Sequence, residues 1–252
     1  MKVKKQTAIG ILVIAILLAI GVGIYFRVQS NGRNSLASRI AELGGKGGPP
    51  ETIEGLRKAI ALYEDQIERH VKDAAQTGVY WKILAVRLQD KGFHNQALEA
   101  LDRAIYYNSG DATLQYLAGL SASLVAKSSL DFSGGNPGEG ARYYALAEAA
   151  YLNSVSLDAD YGKPRYGLGV LYIFELNRPA DAIPHMIRYL EINPKDTDGM
   201  FILARAYYVT GLYDEALNLY DRIIDIAKKN KNTEKQAEAE RNRRQVMNDY
   251  YG

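Results

Sequence analysis

The sequence contains no cysteine. That excludes disulfides, thiolate metal sites, cysteine nucleophiles and a lipid-modified N-terminal cysteine. It fits an exported protein without requiring one. Only three histidines are present, His70, His94 and His185, and they fall in three different segments of the chain, so no metal site is expected. Tryptophan occurs once and phenylalanine five times, against 19 tyrosines. The sequence has no H-E-x-x-H, no G-x-S-x-G and no glycine-rich nucleotide loop after a strand. The run from Gly44 to Pro50 is glycine-rich but lacks the order a phosphate-binding loop needs, and it reads as a linker. Acidic side chains stand mostly one helical turn from lysine or arginine, as on solvated helix faces. No catalytic residue and no cofactor are expected, and the chain does not read as an enzyme.

What is present is ample apolar material. With 252 residues, 47% of them apolar, the chain can build a sizeable core and is too apolar to be mostly disordered. The formal net charge of +2 hides an asymmetry. Residues 1–27 hold Lys2, Lys4, Lys5 and Arg27 and no acid, which leaves 27 basic and 29 acidic residues in the rest. The body is therefore slightly acidic, and nucleic-acid binding has no global electrostatic support.

After a basic tail, 1–7, the segment Ala8–Phe26 reads AIGILVIAILLAIGVGIYF, 19 residues without a charge. As a helix it spans about 28 Å, close to the hydrocarbon thickness of a bilayer. Tyr25 and Phe26 stand where interfacial aromatics sit. A cleaved signal peptide has a shorter apolar region with small residues close behind it; Ser35-Leu36-Ala37 lies too far on. The segment is expected to be an uncleaved single-pass anchor. Lys2, Lys4 and Lys5 are more compact and closer to it than Arg27, Arg33 and Arg39, which places the N-terminus in the cytoplasm and the body on the periplasmic side of a bacterial inner membrane.

The rest of the chain repeats. In the 34-residue window 78–111, Trp81, Leu84, Ala85, Leu88, Gly92, Ala97, Leu101 and Ala104 form W-x2-L-A-x2-L-x3-G-x4-A-x3-L-x2-A. Ala118-Gly119-x2-Ala122, Leu168-Gly169-x2-Tyr172 and Leu203-Ala204-x2-Tyr207 open further units, and Ala147-x3-Tyr151, Ala182-x3-Met186 and Ala216-x3-Tyr220 stand in their second halves. The first-half residues Ala85, Gly119, Gly169 and Ala204 are 34, 50 and 35 apart, and the second-half alanines Ala97, Ala147, Ala182 and Ala216 are 50, 35 and 34 apart. Both series arise from 34-residue units with 16 extra residues in the second unit and one in the third.

The pattern resembles the tetratricopeptide repeat, a helix–turn–helix unit of about that length. The resemblance implies an all-α fold: a right-handed α-solenoid of such helix pairs, here preceded by one transmembrane helix. Small residues mark the close helix crossings, and the pairs must stack because one pair cannot bury its apolar face. The expected divisions are a linker with a short helix, 27–50; a degenerate repeat helix, 51–77; repeats at 78–111, 112–161, 162–196 and 197–230; and a C-terminal capping helix, 231–252. On the helix within 51–77, Leu56, Ile60, Tyr63, Ile67 and Val71 share one stripe. Gly92 and Gly211 fall in turns. The insertion, about 127–142, is rich in glycine and serine and reads as a loop, with Leu130 and Phe132 as apolar handles. Thr233 with Gln236 reads as a capping box opening the last helix.

In this family the first helices of the pairs line a concave groove. The resemblance places Lys82, Tyr116, Tyr166, Phe174, Phe201, Arg205 and Tyr208 there, an aromatic surface with a few charges of the kind that binds protein. Tyr166 and Phe201 hold equivalent repeat positions and are expected side by side. Some members clamp a chaperone's terminal carboxylate with lysine and asparagine. Lys82 and Lys163 match two of those positions, but Val86, Leu117 and Gly167 do not match the others, so that clamp is not expected. The function implied is a membrane-anchored scaffold that binds partner proteins, in envelope assembly, secretion or chaperoning. The alternative is a non-catalytic accessory or regulatory subunit of a membrane enzyme complex. The partners are proteins and, through Ala8–Phe26, the lipid bilayer, with no nucleic acid and no small-molecule substrate.

Overall fold

A computed structural model describes residues 52–131 and 137–251. The segment Ala8–Phe26 expected as an anchor, the expected linker 27–50 and the side chains of Leu130 and Phe132 lie outside the described residues. The chain divides into two units, 1–73 and 74–252. Among the described residues there is no strand, and no helix is long and apolar enough to cross a membrane.

Helix α1 runs Ile53–Asp90 without a break. The boundary drawn from sequence at 77/78 therefore falls inside a helix. Gly78 stands near it, but one glycine weakens a helix by only about 1 kcal/mol and does not end it. Its role is space: a Cβ there would lie 2.8 Å from Tyr107 Cβ and 2.4 Å from Asn108 Nδ2. In the first unit the helix carries Glu54–Lys58 and Glu68–Lys72 ion pairs on one side, at 2.8 and 2.6 Å, and exposed apolar residues on another.

In the second unit α1 is succeeded by α2 (His94–Tyr107), α3 (Ala112–Asp131), α4 (Pro137–Leu157), α5 (Gly162–Val170), α6 (Pro179–Ile192), α7 (Thr197–Val209), α8 (Tyr213–Lys229) and α9 (Thr233–Tyr251). From α3 onward, helices adjacent in sequence pack on one another, α3 on α4 most extensively. Small residues sit at the crossings, as their spacing implied. Ala85, Ala97, Ala147, Ala182, Ala204 and Ala216 are fully enclosed. A Cβ on Gly169 would lie 2.2 Å from Met186 Sδ, and one on Gly119 would lie 2.5 Å from Tyr151 Cδ1.

Two kinds of turn alternate. Within a pair the chain reverses through a left-handed residue: Gly92 (φ 76°), Asn177 (φ 51°) and Gly211 (φ 80°). The N–H groups of Phe93 and Leu212 then reach back to the carbonyls of Leu88 and Tyr207, at 2.9 and 2.8 Å, which closes the helix end as a Schellman turn. Between pairs a four-residue turn recurs as Asn108–Asp111, Asp158–Tyr161 and Asn193–Asp196. In each, the fourth residue's N–H donates to the first residue's carbonyl, at 3.1–3.3 Å. Asp111 and Asp196 then accept the N–H of Thr113 and Asp198, capping α3 and α7.

Three readings change. The insertion is largely helix: α3 continues through Lys127 to Asp131 and α4 begins at Pro137. Proline suits the first turn of a helix, where its missing N–H costs nothing, and Ser128 and Ser129 return their hydroxyls to carbonyls three residues back. The single extra residue of the third unit appears as a π-helical turn, Leu171–Glu175, that ends α5. Leu176 N–H donates to Leu171 C=O at 3.0 Å, and Arg178 N–H donates to Tyr172 C=O at 2.7 Å. The wider turn absorbs one residue without displacing the later helices. Last, α9 is capped by Asn232, whose Oδ1 accepts Lys235 N–H at 3.0 Å, and not by Thr233.

Candidate functional site

Helices α3, α5, α7 and α9 present two hollows. The first has a volume of about 310 Å³ and lies between α3 and α5. Tyr116, Leu120, Lys127, Lys163, Tyr166 and Val170 form its walls, and Tyr144 and Tyr151 of α4 reach in from beneath. The second, about 480 Å³, lies between α7 and α9, with Phe174, Phe201, Arg205 and Tyr208 on one side and Glu238, Asn242 and Gln245 on the other.

Tyr151 is the fixed point of the first hollow. It is 3% exposed, and its ring lies in a slot between two glycines of opposed helices. A Cβ on Gly119 would come within 2.5 Å of the ring, and one on Gly167 within 2.8 Å. Tyr116 packs beside it, with centroids 6.1 Å apart, and also meets Tyr161 edge-on at 5.5 Å. Burial pushes the Tyr151 hydroxyl up to about 12, and neighbouring Tyr116 adds to the effect. These phenols stay neutral hydrogen-bonding groups on an apolar surface. Lys163 Nζ stands 5.9 Å from the centre of the Tyr116 ring, a cation–π approach that leaves its charge available.

At the junction with the second hollow, the π-helical turn aims alternate groups in different directions. Tyr172 is buried and its hydroxyl donates to Glu148 at 2.9 Å. Arg178 bonds Glu148 at 3.0 Å and Asp181 at 2.6 Å and lies 4.8 Å from the Tyr172 ring centre. Phe174 instead projects outward, 56% exposed. His185 packs beside Tyr172 at 5.9 Å; burial and then Arg165 hold its imidazole below the usual range.

The seven groove residues read from sequence are thus divided. Tyr116 and Tyr166 line the first hollow, and Phe174, Phe201, Arg205 and Tyr208 line the second. Tyr166 and Phe201, expected side by side, stand in different hollows. Tyr166 leans on Tyr189 at 5.3 Å, Phe201 leans on Tyr220 at 6.2 Å, and the π-helical turn brings Phe174 to Phe201 instead. Lys82 lines neither hollow. It bonds Asp111 at 2.7 Å across the first inter-pair turn. Burial alone would raise the Asp111 carboxyl, but the hydrogen bond and charge of Lys82 outweigh it and hold the group below its ordinary value. Sequence reasoning missed Tyr144, Tyr151 and the α9 residues, because second helices and the cap were not expected to reach this face. Lys127, Lys163 and Arg205 make no ion pair among the described residues, although Glu175 also lines the first hollow and Glu238 the second. No cluster of metal-ligating side chains occurs among the described residues.

The family model for the tetratricopeptide repeat matches residues 174–232. Among solved structures, a crystal structure of MamA is similar at a TM-score of 0.53 with 18% identity, covering 78% of this chain and 96% of MamA. MamA from Desulfovibrio magneticus RS-1 gives 0.52 with 14% identity over 68% and 94%. TTC0263, a tetratricopeptide protein of Thermus thermophilus, gives 0.51 with 18% identity over 72% and 87%. At these identities the likeness is one of fold. No curated protein matches the sequence. Residues 174–232 thus match the tetratricopeptide repeat, and the solved neighbours share the helical fold of the chain.

Proposed function

We propose that this chain is a membrane-anchored scaffold that binds a segment of a partner protein along the face made by α3, α5, α7 and α9. The observation that carries the reading is the pair of hollows. They are open and walled by tyrosine and phenylalanine, and each holds a cation that makes no ion pair among the described residues. Rigid aromatic walls bind apolar side chains at small entropic cost, and an unpaired cation selects for a nearby acid in the partner. The partner is an extended or helical segment with apolar side chains spaced to reach both hollows. The chain acts by binding and not by catalysis. Its anchor is Ala8–Phe26, with the repeats on the periplasmic side of an inner membrane.

The test is affinity purification in mild detergent, comparing wild type with Tyr166→Ala/Phe201→Ala, which removes one wall from each hollow. Circular dichroism must first show the variant folded. Loss of a true anchor costs about 2 kcal/mol or more, roughly thirtyfold in affinity, so partner recovery should fall sharply. Unchanged recovery would make these aromatics packing residues only. Reporter fusions after Arg33 test the topology, and activity on the cytoplasmic side would reverse it.

A further inference from the structure

The first unit holds a surface that the groove does not use. Along α1, Ile53, Ile60 and Ile67 recur every seventh residue, and Leu56, Tyr63 and His70 recur three residues after each. This is an a/d heptad register over three turns of the repeat. The isoleucines are 74%, 54% and 61% exposed, and Leu56 and Tyr63 are 43% and 50% exposed. The back of the helix is the opposite in kind, with the Glu54–Lys58, Asp65–Arg69 and Glu68–Lys72 pairs at b, c and f positions. Single apolar residues on a surface are ordinary; five in strict register along one helix are not.

We propose that this stripe pairs with the same stripe of a second copy in a parallel two-stranded coiled coil. Three features of the helix select that occupant. β-Branched isoleucine at every a position with leucine at the first d position favours two parallel strands. In that arrangement each g residue faces an e residue of the partner copy five positions on, setting Gln66 against Val71, so no like charges oppose there; Ala59, at the first g position, is 6% exposed and already enclosed by its own chain, and it takes no part in the pairing. The five exposed apolar side chains offer on the order of 500 Å² per chain, so a pair buries about 1,000 Å², the size at which specific interfaces begin. The parallel sense also agrees with the anchor proposed above, since both copies leave the bilayer in the same direction. The groove plays no part in the pairing, so failure of one reading leaves the other standing.

The absence of cysteine makes the test clean. Full-length chain in mild detergent should sediment as a dimer. Ile53→Cys, Ile60→Cys and Ile67→Cys, made singly, should each give a disulfide-linked dimer on mild oxidation, because a positions bring Cα atoms within disulfide range. Lys58→Cys and Asp65→Cys, at f, should not. Ile60→Asp/Ile67→Asp should leave the repeats folded and raise the dimer dissociation constant by about a hundredfold or more. A monomeric wild type, a dimer that survives the aspartate variant, or cross-linking at f as readily as at a would overturn the proposal. Linkage at only one of the three a positions would mean an antiparallel pair, and would overturn it too. If the aspartate variant fails to fold, the cysteine series decides alone.

Discussion

Gly119→Ala separates two views of the first hollow by the sign of its effect. Gly119 is inside α3, where alanine is the better helix former by about 1 kcal/mol. On propensity alone the substitution stabilises. The structure argues the reverse. The new methyl group would meet Tyr151 Cδ1 at 2.5 Å, Cε1 at 2.6 Å and Cγ at 2.9 Å. A phenol ring cannot fold away from such a contact as a lysine tip can. Its far end is confined as well, since it lies where a Cβ on Gly167 of α5 would come within 2.8 Å of Cζ. Relief requires α3 and α4 to separate, and overpacking of that kind costs about 1–3 kcal/mol. The net expectation is a loss of about 1–2 kcal/mol once the helix gain is subtracted. For a domain this size each kcal/mol moves the melting midpoint by about 2–4 °C. Thermal melts monitored by circular dichroism should show the drop. Gly110→Ala, where nothing lies within 4 Å, should leave the midpoint nearly unchanged. Adding Tyr151→Leu to Gly119→Ala should return part of the loss, a coupling a double-mutant cycle reads directly. A midpoint raised by Gly119→Ala would refute the two-glycine slot.

Ala204 is fully enclosed in the core of α7 and α8, so Ala204→Leu should cost about 1–3 kcal/mol by the same assay. Ser154 is also fully enclosed, and its hydroxyl donates to Ala112 C=O at 2.7 Å; Ser154→Ala should cost about 1 kcal/mol. Burial pushes the Tyr151 and Tyr220 phenols up to about 12, whereas in an unfolded chain they titrate near about 10. The unfolded state therefore releases protons first, so the stability tied to these groups is complete below pH about 10 and is lost as pH rises through about 12. Melts across that range should fall with pH, less steeply in Tyr151→Phe.

Much of the second unit is legible in the sequence because its small residues are compelled. Ala85, Ala97, Ala204 and Ala216 stand where two helices leave no room for more, so their spacing betrays the pairs. Gly92 and Gly211 are legible for the same kind of reason, a left-handed turn that glycine enters without strain. The inter-pair turns are not legible, although Asn108, Asp158 and Asn193 begin them alike, because short polar residues also populate every ordinary loop. The helical insertion escapes a sequence reading because glycine and serine count against a helix singly, while packing of α3 on α4 outweighs them together. The groove is half legible. Equivalent repeat positions locate Tyr116 and Phe201, but the phase of Phe174 depends on where the third unit's extra residue is absorbed, and the 35-residue spacings report that residue without placing it in the turn that carries Phe174. Tyr151 reads as a second-helix core residue, and only the two glycines facing it show that it also floors a hollow.

The π-helical turn at Leu171–Glu175 has a consequence for how such a chain can vary. A residue inserted in an ordinary helix rotates everything beyond it by about 100°, and in a stacked array that error would propagate to every later unit. Here the surplus residue is contained within one widened turn, and Ala182, Ala204 and Ala216 keep their places at the crossings. The bulge behaves as an expansion joint. It lets the length of one unit drift while the pitch of the array is held, and only the few side chains it carries change direction. Phe174 is one of them, so a change in chain length that leaves the architecture intact is expressed as a new shape of the hollow between α7 and α9.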